Sequence, residues 1–178
     1  MLPSFLTIAL FAHIATAHPP GYSPRPGSDI RPYSYFVNNT IYQTTGKESI
    51  TYPRYTELAD GTIIATSALG GHNPDYFPIF ESKDGGASWK HISNLTDQVN
   101  GWGMSAQPAL EVLSTPLGGF PTGTILGSGN SWSSNGTRID LYASTDGARS
   151  WKFVSLIAEG GPPNTTNGAT PVWEPKLL

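Results

Sequence analysis

Ser82-Lys83-Asp84-Gly85-Gly86-Ala87-Ser88-Trp89 returns 62 residues later as Ser144-Thr145-Asp146-Gly147-Ala148-Arg149-Ser150-Trp151. The same offset carries Gly61-Thr62-Ile63 onto Gly123-Thr124-Ile125. Two anchors at one period mark a repeated structural unit. Within the octapeptide, an Asp carboxylate can accept the backbone N–H groups of a tight turn. Gly tolerates positive φ, and Trp packs between neighbouring strands. Asp84 and Asp146 are therefore expected to shape turns and to take no part in chemistry. The second copy departs by carrying Ala148 where the first has Gly86.

Working outward, each unit reads as a four-stranded antiparallel meander. Runs rich in β-branched and aromatic residues are separated by Gly, Asp and Pro. The expected strands are 53–58, 62–68, 76–81 and 89–92, then 108–113, 124–127, 139–143 and 151–157. A Gly- and Pro-rich insertion at 114–122 enlarges the first turn of the second unit. No stretch shows a 3.6-residue apolar period, so an all-β fold is expected.

Composition agrees. Gly and Pro supply 36 of 178 residues, and charged residues only 13%, about half of ordinary usage. The net charge is −3 and the ten Lys and Arg are scattered. No basic stripe exists to neutralise a row of phosphates, so nucleic acid is excluded as an expected partner. There is no cysteine, which removes disulfides and thiolate chemistry.

The N-terminus reads as an export signal. Residues 1–17 hold an apolar run that ends in Ala15-Thr16-Ala17, a small-x-small cleavage site. The run is too short to span a membrane. Residues 18–178 then form a secreted domain starting at His18. Four Asn-x-Ser/Thr sequons, at Asn38, Asn94, Asn135 and Asn164, fit glycosylation on surface loops.

In a meander, alternate turns share a face. The octapeptides and the Asp60-Gly61 turn lie on one side, and the longer loops collect on the other. Those loops carry His72 and Asp75, Trp102, Trp132 and the segment 159–173. In a propeller the first strand of each unit lines the central channel, so its starting residue sits at the channel mouth. Three such starts align as Tyr52-Pro53-Arg54, Gln107-Pro108-Ala109 and Glu174-Pro175-Lys176. Proline's missing N–H suits a strand's first position. Glu174 is the carboxylate of the set. Beside Trp173, it is suited to acid, base or nucleophilic work on a sugar, or else is a solvated strand-start residue. His72, Asp75, Trp102, Gln107, Trp132 and Arg54 are candidate substrate contacts, with Arg54 also expected to pair with a carboxylate such as Glu174.

The octapeptide resembles the Asp-box, or BNR repeat, of sialidase-like β-propellers. The segment Val172-Trp173-Glu174-Pro175, together with Tyr52-Pro53-Arg54 and Leu58-x-Asp60-Gly61, resembles the fungal glycoside hydrolase family 93. That resemblance implies a six-bladed propeller acting as a secreted exo-arabinanase on α-1,5-L-arabinan by a retaining mechanism. It also implies that Glu174 is one of two catalytic carboxylates, as acid/base or as nucleophile. This chain would supply two blades and the opening of a third. The second carboxylate is then expected to be missing, and the chain to be a truncated, inactive form. Two other readings stand beside it. One is a sialidase, with Arg54 binding the sugar carboxylate and Asp75 as acid/base. The other is a non-catalytic carbohydrate-binding repeat protein. No cofactor or metal is expected, because His13, His18 and His91 have no ligand-like spacing. The expected partner is an oligo- or polysaccharide, with no membrane, and the full-length protein is expected to be a monomer.

Overall fold

The computed structural model describes residues 39–177. The proposed leader and the sequon at Asn38 lie outside them. Eight strands make two four-stranded antiparallel sheets with no helix among the described residues. Blade one comprises β1 (Ser49–Glu57), β2 (Ile63–Gly70), β3 (Phe77–Ser82) and β4 (Lys90–Leu95), paired in chain order. Blade two repeats the arrangement with β5 (Ala106–Val112), β6 (Ile125–Ser133), β7 (Gly136–Ser144) and β8 (Lys152–Gly160). The two sheets are separate and close no barrel among the described residues.

Blade two packs on blade one, with β5 lying against β1 and β2. The strand pleat sends alternate residues to opposite faces. Ile64, Ala68, Phe77, Ile79 and Leu95 of blade one therefore meet Leu110, Ile125, Tyr142, Ala148 and Trp151 of blade two in one buried cluster. Close approach requires glycine at two points. A methyl at Gly129 would overlap the Phe77 ring, and one at Gly127 would press on Trp151 and Leu95. Burial raises the Tyr142 phenol to about 12, and its oxygen still accepts the Gln98 N–H.

The repeated octapeptides fold alike. In the first, Ser82 Oγ donates to Asp84 Oδ1 (2.8 Å), and Asp84 accepts the Ser88 N–H (2.8 Å) and hydroxyl (2.6 Å). In the second, Ser144 Oγ donates to Asp146 Oδ1 (2.8 Å). Asp146 accepts the Ser150 N–H (3.0 Å) and hydroxyl (2.6 Å). The Asp84 carboxyl falls to about 2 through these bonds, led by the Ser88 hydroxyl. Around Asp146, burial opposes ionisation, yet the Ser150, Ser144 and Arg149 donors outweigh it and again bring the group to about 2. Ala148 takes the left-handed φ of 66° that Gly86 has at 89°. Its methyl is fully buried in the interblade cluster, which offsets the backbone strain.

Strand extents differ from the sequence expectation. β6 was expected at 124–127 and runs to Ser133, while β7 begins at Gly136 rather than 139. The added residues are Ser, Gly, Asn and Trp, weak or mixed strand formers, and here pairing and burial override propensity. The expected third first-strand at Glu174-Pro175-Lys176 belongs to no strand. Asn94 lies on β4, not in a loop, and is exposed with Oδ1 toward His91 Nε2 (2.7 Å). Asn135 in the β6–β7 turn and Asn164 after β8 are exposed loop positions.

Candidate functional site

The three residue-proline starts converge in backbone conformation. Tyr52, Gln107 and Glu174 have φ of 52°, 54° and 57°, a left-handed geometry that non-glycine residues adopt rarely. In β1 and β5 the pairing register slips at this point, between Thr51 and Arg54 and between Ala106 and Ala109. The extra residue of each bulge, followed by proline, turns out of the ladder. Strain repeated at equivalent positions of a scaffold is a pointer to function.

At Glu174 the strain is held by side chains from blade two. Gln107 Nε2 donates to Glu174 Oε1 (3.2 Å), and the Glu174 N–H faces Gln107 Oε1 (3.3 Å) and Asn130 Oδ1 (3.2 Å). Asn130, fully buried on β6, also donates from Nδ2 to the Val172 carbonyl (2.6 Å). Thr137, equally buried on β7, accepts the Val172 N–H (2.9 Å) and donates to the Gly161 carbonyl (3.1 Å). Two buried polar side chains thus hold residues 172–174 against the end of blade two.

The exposed Glu174 carboxylate opens on a groove of about 390 Å³, shared with Arg54, Tyr55, Gln107, Leu110 and Lys176. Trp173 precedes Glu174 in the chain, and its ring meets that of Trp132 edge to face, 5.5 Å apart at 77°, while staying 38% exposed. An exposed indole face can stack on a sugar ring.

The structure brings together Glu174, Gln107 and Arg54, while Trp132 and Trp173 pair with each other outside the groove's lining. His72, Asp75 and Trp102 do not line this groove. The Asp75 carboxylate accepts the His72 N–H (2.9 Å) and closes the β2–β3 turn, while His72 Nε2 lies 3.0 Å from Glu48 Oε1. The Trp102 N–H binds Asp97 Oδ2 (2.7 Å), and its ring lies over Gly136. The expected Arg54–Glu174 pairing is not formed. Arg54 instead donates to the Pro53 carbonyl (3.0 Å). With Arg54 and Lys176 as the cations of the groove, the arginine cluster that a sialidase requires is not assembled among the described residues.

Asn130, Thr137 and Asp97 escaped the sequence reading. Asp97 organises the interblade loop by accepting N–H groups of Val99, Asn100 and Trp102 and the Ser131 hydroxyl. Burial works against its charge, but these donors keep the carboxyl below its usual range. Asn130 bonds to residues 42 and 44 positions away and Thr137 to one 35 away, and Ser131 reaches Asp97 across 34. No local pattern announces such bonds.

No protein-family model matches the sequence, and neither does any curated protein sequence. Solved structures do match. The chain is 44% identical to an α-L-arabinofuranosidase of Fusarium graminearum solved with an iminosugar inhibitor. The match has a TM-score of 0.70 and covers 72% of this chain and 37% of that one. The family 93 α-L-arabinofuranosidase of the same fungus, solved with arabinobiose, matches equally. An α-L-arabinanase of Penicillium chrysogenum with arabinobiose is 45% identical at a TM-score of 0.70, over 72% of this chain and 38% of that one. The chain thus spans a little over a third of these relatives' length. Within that span, in sequence and in blade architecture, it resembles the N-terminal portion of fungal glycoside hydrolase family 93.

Proposed function

We propose that the chain is a secreted, glycosylated, glycoside hydrolase-like protein that takes the end of an α-1,5-L-arabinan chain in the groove of Glu174. The observation that carries this reading is the Glu174 carboxylate itself. It stands on a left-handed backbone, clamped by Gln107 and Asn130, in a scaffold 44% identical to arabinan-acting enzymes. Gln107 orients the carboxylate, Trp173 and Trp132 offer an apolar face, and Arg54 donates to sugar hydroxyls.

Retaining hydrolysis needs two carboxyl groups about 5 to 5.5 Å apart. Among the described residues, the side chain that hydrogen-bonds the Glu174 carboxylate is the Gln107 amide. The 178-residue chain is therefore expected to bind arabino-oligosaccharide without releasing arabinose. Calorimetric titration with arabinobiose should give weak binding, on the order of millimolar, and Glu174→Ala should weaken it at least about tenfold. Absence of binding, equal binding by the variant, or preference for sialic acid would refute the reading. Secretion has its own check: mass spectrometry of the exported chain should show His18 at the N-terminus. Peptide N-glycosidase should lower the mass of peptides carrying Asn135 and Asn164.

A further inference from the structure

The sequons at Asn94, Asn135 and Asn164 lie among the described residues, and their surroundings differ. The one at Asn164 is open along its length, with Asn164, Thr165 and Thr166 all exposed. Asn164 Oδ1 accepts both the Thr166 N–H (3.2 Å) and the Thr166 hydroxyl (2.7 Å). This Asx turn brings the hydroxyl onto the carboxamide. The loop is pinned at its base, where the Gly161 N–H donates to the Thr170 carbonyl (2.9 Å) and the Ala169 N–H to the Thr166 carbonyl (3.0 Å).

The sequon at Asn135 presents only its first residue. Asn135 is exposed in the β6–β7 turn, but Thr137 is fully buried. The Thr137 hydroxyl is the group that accepts the Val172 N–H (2.9 Å) and donates to the Gly161 carbonyl (3.1 Å). At Asn94 the middle residue is the obstacle. Leu95 is sunk in the cluster between the blades, and Asn94 Oδ1 lies 2.7 Å from His91 Nε2. A transferase has to reach the hydroxyl two residues beyond the asparagine, since that hydroxyl defines the sequon. In the folded chain neither of these two sequons can be lifted out without breaking the structure around it.

We propose that, of these three, Asn164 is the glycan acceptor of the folded chain, and that Asn135 accepts a glycan only before residues 161–174 settle on blade two. The inference rests on the reading of the chain as a secreted glycoprotein and adds the order in which its sites are used. In the transfer, Asn164 Nδ2 attacks the anomeric carbon of an oligosaccharide carried on a lipid diphosphate. The N–C bond forms as the C–O bond to the diphosphate breaks, the lipid diphosphate leaves, and the amide gives one proton to a base of the transferase. At Asn135, folding and transfer compete for the Thr137 hydroxyl, which holds Val172 two residues before Glu174. During export, transfer to the emerging chain still reaches Asn135. After folding, freeing that hydroxyl breaks two buried hydrogen bonds, each worth about tenfold in population. Transfer to folded Asn135 should then be roughly a hundredfold slower than to Asn164.

The test uses the 178-residue chain made without glycans, a single-subunit oligosaccharyltransferase of eukaryotic type and its lipid diphosphate-linked oligosaccharide. Peptides 130–140 and 159–170 serve as unfolded controls. Site-resolved mass spectrometry should find both peptides modified, and the folded chain modified at Asn164 but not at Asn94 or Asn135. Asn164→Gln, an exposed substitution, should leave Asn94 and Asn135 unmodified still. A folded chain modified at Asn135 as fast as at Asn164 overturns the proposal and leaves the glycoprotein reading standing. So does a folded chain that stays bare at Asn164 while peptide 159–170 is modified. Peptides that both stay bare overturn the glycoprotein reading and the proposal with it.

Discussion

Glu174 is exposed, yet its backbone is held at a left-handed φ of 57°, and part of the hold comes from the buried Asn130. Asn130 spends its whole side chain on the 172–174 segment, donating to the Val172 carbonyl and accepting the Glu174 N–H. Asn130→Ala leaves both backbone groups without their partner. That should cost about 1 to 3 kcal/mol, the usual penalty for a buried polar group left unsatisfied. Urea unfolding followed by tryptophan fluorescence measures it, and the Trp173 environment should change as well. The loss of arabinobiose binding should exceed what the stability loss explains, because the carboxylate then samples other positions. Equal stability of the variant would mean that water replaces the amide fully. The start residues Tyr52, Gln107 and Glu174 were legible through the proline that follows each. The clamp that holds the third was not, because it joins residues far apart in the chain through ordinary Asn and Thr side chains.

The hairpin turns were the most legible elements, since their chemistry is local. Asp, Ser and Gly sit within eight residues of one another, and the bonds they form in blade one recur in blade two. The strand ends were less legible. At 128–133 the residues, Trp132 apart, have little preference for strand, and it is the neighbouring β7 that holds them. The turns also set the acid response. Both turn carboxyls are near 2 in the folded chain against an ordinary value of 3.8. A depressed carboxyl stabilises the fold above its unfolded value, and that contribution disappears as pH falls through the folded one. Stability should therefore decline between about pH 4 and about pH 2. Asp84→Asn and Asp146→Asn should each be less stable at pH 7, and each should flatten the decline in that window. Thermal melts at pH 7, 4, 3 and 2 measure both effects. A variant as steep as the parent would shift the acid response to another carboxyl, such as Asp97.

At the scale of the whole molecule, the two repeat-related tryptophans occupy different situations, one in the core between the blades and one on the outward face of blade one. Trp151 is buried between the blades, against Leu95 and the backbone of Gly127. Trp89 lines the open face of blade one and donates to the Gly86 carbonyl (3.1 Å). Because one apolar cluster draws on both sheets, the blades should unfold in a single transition. Trp151→Ala removes a large buried side chain from that cluster and should cost about 3 to 5 kcal/mol. Trp89→Ala leaves the shared core intact and takes away a half-buried ring that lies with Ile41 and Tyr42 in one groove, so it should cost less. Thermal melts of both variants beside the parent measure the contrast. Equal costs would mean that the outward face of blade one contributes as much to folding as the cluster between the blades, because a side chain's contribution follows the apolar surface it buries.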